Sequence, residues 1–128
     1  MGSLRTAERE KEDVPRYLIV DDNRHYAAAA RDLLEREGVT VVGVASTSAE
    51  ALRLTADLGP DVILVDIDLG EESGFDLATL LAAETAAPVV LISAHSESEF
   101  ADLIAASPAV GFLSKSELSA AAVSNLLA

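Results

Sequence analysis

The sequence predicts an α/β domain built as a doubly wound parallel sheet, five strands wide, with helices on both faces. Three observations predict it. From Arg16 onward, short apolar runs rich in Val, Ile and Leu alternate with segments of helical periodicity. The apolar runs are nearly continuous rather than alternating, as parallel strands covered on both faces are. Two of them run straight into carboxylates: Tyr17-Leu18-Ile19-Val20 into Asp21-Asp22, and Val62-Ile63-Leu64-Val65 into Asp66. Successive parallel strands are expected to be joined by right-handed crossovers.

Residues 1–15 carry Arg5, Glu8, Arg9, Glu10, Lys11, Glu12 and Asp13 and almost nothing to bury, so they read as a polar lead-in to a domain spanning 16–128. Strands are expected at 17–21, 40–45, 62–66, 89–92 and 110–113, and helices at 24–37, 48–58, 75–86, 97–106 and 116–127. Gly38 supplies a left-handed cap after the first helix. Thr47, with Glu50 three residues on, fits a capping box at the second. Leu77, Leu80 and Leu81 give the third helix an apolar stripe, as Phe100, Leu103 and Ile104 give the fourth. Pro60, Pro88 and Pro108 each stand shortly before a strand, where the preceding helix has already stopped. In the fifth helix Leu118, Ala122 and Leu126 are expected to cover the sheet, leaving Ala120, Val123 and Leu127 partly outside it. There is no internal repeat and no sign of a second domain.

Composition narrows the function. The 128 residues suffice for one domain; half are hydrophobic but only 4% are aromatic, so Ala, Val and Leu must fill the core. No apolar run reaches the length of a membrane span, and no signal-peptide pattern opens the chain, so a cytoplasmic protein with no membrane contact is expected. Without cysteine there are no disulfides and no thiolate metal sites. The net charge of −13 argues against nucleic-acid binding through this domain. After Arg53 the only Lys or Arg is Lys115, set against twelve acids over the same stretch.

In a doubly wound sheet, ligands bind at the carboxyl edge. There the first, third, fourth and fifth strands end in Asp21-Asp22, Asp66, Ser93 and Lys115. Each has a plain reading alone: acids in solvated turns, a serine capping the next helix, a surface lysine. Together, at four strand ends, they form a constellation. Three carboxylates in one pocket repel and call for a cation, and oxygen-only ligands suit Mg²⁺. That combination points to phosphoryl chemistry.

With these residues in place the chain resembles the receiver domain of bacterial two-component response regulators, over nearly all of Arg16 to Leu127. The matching motifs are Val20-Asp21-Asp22, Val65-Asp66-Ile67-Asp68-Leu69, Ile92-Ser93-Ala94 and Phe112-Leu113-Ser114-Lys115, with Gly74 eight residues past Asp66. The resemblance implies a flavodoxin-like sheet of strand order 2-1-3-4-5. It implies that Asp66 is the phosphoacceptor, aided by Ser93 and Lys115, and that Mg²⁺ is held by Asp21, Asp22, Asp66 and the backbone carbonyl of Asp68, Asp21 acting mainly through water. Ser93 and Phe112 become the switch residues; plain core packing is an equal reading of Phe112. The implied function is a signalling switch that takes its phosphoryl group from a sensor histidine kinase or phosphotransfer protein. It relays the change through the surface of the fourth helix, fifth strand and fifth helix, with no enzymatic activity beyond self-phosphorylation and autodephosphorylation. The weakly polar outer face of the fifth helix has two equal readings: a harmless surface of small residues, or the docking face of a heterologous partner or a homodimer.

Departures from the family pattern bear on this. Gly70, followed by Glu71-Glu72, replaces a frequent proline, and a more mobile, more acidic loop is expected there. Ser116 stands where proline often follows the lysine, so no cis peptide bond is expected. Asp68 and His95 flank the path of attacking water; His95 also reads as an exposed residue leading into a helix. One rival is a haloacid-dehalogenase-like phosphatase, since Val62 to Gly70 ends a strand in Asp-x-Asp. Against it stand the acidic pair preceding the nucleophile, Gly70 where Thr or Val is expected, and no room for a cap domain. The other rival is a phosphorylation-independent interaction module, weakened by the presence of every core residue. The chain ends just after the fifth helix, which fits either a single-domain regulator or a receiver from a longer protein.

Overall fold

The computed structural model describes residues 14–128, so the polar lead-in expected at 1–15 lies outside the described residues except for Val14 and Pro15. The order is β1 (Arg16–Val20), α1 (Arg24–Arg36), β2 (Thr40–Ala45), α2 (Ser48–Leu58), β3 (Val62–Asp66), α3 (Gly74–Glu84), β4 (Val89–Ser93), α4 (Ala101–Ala106), β5 (Gly111–Ser114) and α5 (Ala120–Leu127). The five strands form one parallel sheet in the order β2-β1-β3-β4-β5. This is the fold read from the sequence.

Register decides which side chains meet at the carboxyl edge. Val20 pairs with Val65, so the residues that follow them, Asp21 and Asp66, become neighbours. Asp66 pairs with Ile92, just before Ser93, and Ser93 pairs with Ser114, just before Lys115.

Alternate strand residues serve opposite faces. Leu18, Val20, Ile63, Val65, Val89 and Leu91 pack with Ala51 of α2 and Leu77, Ala78 and Leu81 of α3. Tyr17, Ile19, Val62, Leu64, Val90 and Ile92 pack with Ala27, Ala30 and Leu34 of α1 and with Leu118 and Val123. Each fully buried Leu, Ile or Val contributes roughly 1.5–3 kcal/mol relative to exposure, so the central strands are the rigid base on which the site stands. Arg16 ties the opposite edge, its guanidinium donating to the carbonyls of Leu58 and Gly59 at 2.8 Å and so capping the C-terminus of α2.

Four features differ from expectation. A 3₁₀ turn at Glu97–Phe100 opens the fourth helical segment, and the α-helix begins only at Ala101. The fifth helix begins at Ala120 rather than 116: Lys115–Glu117 form a 3₁₀ turn, Leu118 is extended with its side chain buried, and Ser119 is the N-cap, accepting from the Ala122 amide at 3.0 Å. The Glu37 carboxylate accepts from the Ala120 amide at 2.7 Å, fixing that start. This shift rotates the helix so that Val123 is fully buried, correcting the expectation that it lies partly outside; Leu127 is the exposed member. Leu80 and Leu103 likewise face outward, about half exposed, while Leu77 and Leu81 carry the α3 contact.

The fourth feature is a small antiparallel ribbon after β3, Asp68–Leu69 pairing with Glu72–Ser73. Gly70 turns it at φ +68°. Proline, fixed near −65°, cannot take that conformation, so the glycine is what allows this turn. The ribbon is also anchored, with the Glu72 carboxylate accepting from the Ser48 amide at 3.0 Å. The loop expected to be loose is a paired element.

Candidate functional site

The acidic pair is placed by the exit from β1. The Asp21 amide donates to Ala45 O at 2.9 Å, keeping the residue on the sheet edge. Its Oδ1 accepts from the Asn23 amide at 2.8 Å, which bends the chain into α1. Asn23 then caps that helix, its Oδ1 accepting from the Tyr26 amide at 3.0 Å. Asp21 is buried and Asp22 exposed at the mouth.

Asp66 is placed by the end of β3. The next amide, Ile67, donates to Ile92 O at 3.1 Å, and Asp66 Oδ1 accepts from the Asp68 amide at 3.0 Å. The other oxygen, Oδ2, lies 3.0 Å from Lys115 Nζ, and the same ammonium lies 2.7 Å from Asp21 Oδ2. Among the described residues no other donor reaches that Asp21 oxygen. Lys115 thus bridges two buried carboxylates that would otherwise repel.

The electrostatics follow from burial. Removal from water pushes the Asp66 carboxyl up to about 6, with the Asp21 charge adding to the rise and the Asp68 amide and Lys115 opposing it. For Lys115, desolvation acts downward, but the hydrogen bonds and charges of Asp21 and Asp66 outweigh it and its pKa is raised. Lys115 stays charged through the neutral range.

Above Asp66 opens a cleft of about 330 Å³ whose walls include Asp22, Asp66, Asp68, Ser93, His95 and Lys115. Ser93 is buried, and its Oγ accepts from the His95 amide at 2.9 Å, a local turn that leaves its hydrogen free to donate elsewhere. The plain reading of Ser93 as a helix cap takes this form; the N-cap of the 3₁₀ turn is Ser96. His95 sits exposed beside Glu99, Nδ1 to Oε2 at 3.4 Å.

The donor set suits a hard cation. One carboxylate oxygen from each of Asp21, Asp22 and Asp66 lies within 4.8 Å of the others, a span that ligand distances of roughly 2.0–2.6 Å can bridge. The nearly orphaned Asp21 Oδ2 strengthens the fit.

The structure therefore brings Asp21, Asp22, Asp66, Ser93 and Lys115 together, with Asp68 on the wall. Phe112 is elsewhere, packed in the core one strand position before Leu113 and aligned with Leu91. Gly74 has a role that spacing alone does not explain. A Cβ there would collide with the Asp66 carbonyl oxygen and stand 2.6 Å from Ile67 Cα. The glycine lets α3 begin directly against the segment carrying Asp66. One residue went unforeseen: the Lys115 ammonium lies 4.6 Å from the centroid of the Tyr26 ring, and no motif signals it.

Comparison with known proteins agrees with this geometry. The family model described as "Response regulator receiver domain" matches residues 17–125. A putative transcriptional regulator of Pseudomonas aeruginosa is 35% identical over 101 residues, 78% of this chain and 49% of that protein, so the chain spans about half that relative's length. Among solved structures, the signal receiver domain of a modulated diguanylate cyclase from Desulfovibrio desulfuricans superposes with a TM-score of 0.77 at 35% identity, covering 90% of this chain and 91% of that one. A response regulator protein from Burkholderia pseudomallei, solved with a phosphorylated aspartic acid, a calcium ion and citrate, gives 0.77 at 26% identity over 89% of this chain and 66% of that one. With its strand order, its carboxyl-edge constellation and these matches in agreement, the chain belongs to the response regulator receiver domain family.

Proposed function

We propose that this domain is a phosphorylation-driven switch in which Asp66 receives a phosphoryl group from a sensor histidine kinase or phosphotransfer protein. One observation carries the reading: Asp66 Oδ2 stands 3.0 Å from Lys115 Nζ while its carboxylate shares a cation-sized cluster with Asp21 and Asp22. A single carboxylate thereby has charge partners on two sides, as the attacking group of an in-line phosphoryl transfer requires. The phosphorylated aspartic acid and divalent cation in the Burkholderia pseudomallei relative support the same assignment.

In the transfer, an Asp66 carboxylate oxygen forms a bond to phosphorus as the bond from phosphorus to the donor nitrogen or oxygen breaks, the electron pair leaving with the donor. The product is an acyl phosphate, which water later hydrolyses back to the free acid. Asp21, Asp22, Asp66 and the Asp68 carbonyl are the groups that would hold Mg²⁺, which when bound neutralises and orients the phosphoryl oxygens. Lys115 supplies a positive charge on the other side, and the Ser93 hydroxyl donates toward an oxygen that gains negative charge.

The switch follows from that demand on Ser93. Turning its hydroxyl toward the phosphoryl group draws it away from the His95 amide and opens room near Phe112. Repacking then spreads to the surface of α4, β5 and α5, where Leu103 and Leu127 are exposed. Outputs beyond that surface belong to a partner, and no turnover of an external substrate is assigned to this domain.

The test is direct. Incubation with Mg²⁺ and acetyl phosphate should add one phosphoryl group by intact mass, and Asp66→Asn should abolish it. Equal labelling of wild type and Asp66→Asn would refute the assignment.

A further inference from the structure

Lys115 carries the longest side chain of the site, at the end of an edge strand and followed by a 3₁₀ turn. Yet its ammonium must sit between two acids and be ready to follow an incoming phosphoryl oxygen. A second element holds it. The Tyr26 ring of α1 lies 4.6 Å below the ammonium, and the Tyr26 hydroxyl donates to the backbone carbonyl of the same lysine at 3.0 Å. Two different parts of one side chain grip two different parts of one residue, 89 positions apart.

We propose that Tyr26 is a positioning residue for phosphoryl transfer at Asp66, acting through Lys115; the proposal rests on the phosphoacceptor reading above.

The local sequence explains how the ring arrives there. Asp21 Oδ1 takes the Asn23 amide, Asn23 Oδ1 takes the Tyr26 amide, and the first turn of α1 then projects Tyr26 toward the end of β5. Lys115 closes the circuit by returning to Asp21 at 2.7 Å. The acid that starts the helix and the lysine that neutralises it are thus joined through one aromatic side chain.

The two contacts divide the work. The hydroxyl fixes the backbone, so β5 and the turn after it do not move with the side chain. The ring attracts the ammonium without a single preferred direction, so the cation can slide toward a phosphoryl group; another carboxylate there would hold it back. Burial, with the charges of Asp21 and Asp66 adding to it, pushes the phenol up to about 12. The hydroxyl therefore remains a donor at neutral pH.

The test uses initial rates of Asp66 labelling by acetyl phosphate, measured against donor and Mg²⁺ concentration, in wild type, Tyr26→Phe, Tyr26→Leu and Tyr26→Met, each alone and combined with Lys115→Met. Loss of the ring in Tyr26→Leu or Tyr26→Met should lower the saturating rate about three- to tenfold, with the Mg²⁺ midpoint little changed. Tyr26→Phe, which keeps the ring, should recover most of the rate. In the Lys115→Met background Tyr26→Leu should have no further effect. An equal loss in that background, or no loss in wild type, overturns the proposal. A separate readout does not depend on labelling: ring current should shift the Lys115 ε-methylene protons upfield in the NMR spectrum, and Tyr26→Leu should abolish the shift. Absence of that shift in wild type also overturns it. If wild type shows the shift but fails to label, the phosphoacceptor reading is what fails.

Discussion

Replacing Gly74 by alanine should injure both fold and chemistry, and the structure gives the size of the effect. The added Cβ would meet three backbone atoms of the segment carrying Asp66: the Asp66 carbonyl oxygen, Ile67 Cα at 2.6 Å and Asp66 C at 2.8 Å. No rotamer change relieves a backbone collision. Bringing the Ile67 contact alone to the 3.4 Å of ordinary packing means separating α3 from that segment by nearly an ångström, and the closer contact with the Asp66 carbonyl oxygen demands more. Overpacking of this kind costs about 1–3 kcal/mol; the better helix propensity of alanine returns a few tenths at a first-turn position. A net loss of about 1–2 kcal/mol should lower Tm by roughly 3–8 °C.

The same displacement moves the Asp66 carboxylate relative to Lys115, now 3.0 Å away. Misplacing a reacting group by ~1 Å can cost about a hundredfold in rate, so labelling of Asp66 should fall by one to two orders of magnitude. Gly111→Ala is the control. Its Cβ would also be crowded, at 2.7 Å, but by the free end of the Leu126 side chain, which can rotate aside. Thermal melts followed by circular dichroism, with intact-mass time courses of phosphorylation, separate the cases. Native Tm and native labelling in Gly74→Ala would show that the close approach does not constrain the site.

Three further outcomes are expected. Because the folded Asp66 carboxyl titrates near 6 against an ordinary 3.8, its native state takes up a proton earlier than the unfolded one. Its contribution to stability is therefore present at low pH and lost as pH rises through about 6, on the order of 3 kcal/mol at most. In EDTA, Asp66→Asn should stabilise the protein at pH 8 more than at pH 5 by urea titration; the opposite order would refute the burial argument. Millimolar Mg²⁺ should raise Tm by binding only the folded state, with the gain much reduced in Asp22→Ala, and an undiminished gain would remove Asp22 from the cation site. On α5, Val123→Glu should unfold the domain, because the side chain is fully buried, while Leu127→Glu should keep fold and labelling and weaken any phosphorylation-dependent self-association in sedimentation.

The strands and the convergence of the candidate site residues were legible because one physical fact serves both. A continuous Val/Ile/Leu run bounded by polar residues has few readings other than a buried parallel strand, and parallel connection brings every strand's carboxyl end to one edge. Asp21, Asp66, Ser93 and Lys115 thus meet although they are spread over most of the chain. The start of α5 was not legible. Ser116 and Ser119 are equally good caps, and both Glu117-Leu118 between them and the Ala-rich run after them are helical in propensity. Burial of Leu118 and the Glu37 carboxylate decide between them, and both are tertiary. The ribbon at 68–73 has neither alternation nor length and is held by Glu72 reaching to Ser48. Tyr26 looked like any helical aromatic until Lys115 was folded over it.

On the proposed reading, the charges also fix an order of events. Without a cation, Lys115 is shared between Asp21 and Asp66, and Asp22 at the mouth adds a third negative charge, so the site is already overcharged. A phosphoryl group brings roughly two more negative charges, so its approach to that cluster is opposed. A divalent cation held by Asp21, Asp22 and Asp66 would supply the charge that offsets this excess, leaving Lys115 less tightly committed to its bridge between Asp21 and Asp66. The lysine can then follow the phosphoryl oxygens while Tyr26 keeps its backbone in place. Phosphorylation in this arrangement does not simply add a group to a fixed pocket. It exchanges the partner of one buried cation, and Ser93, on the wall of the same cleft, is the next residue to respond.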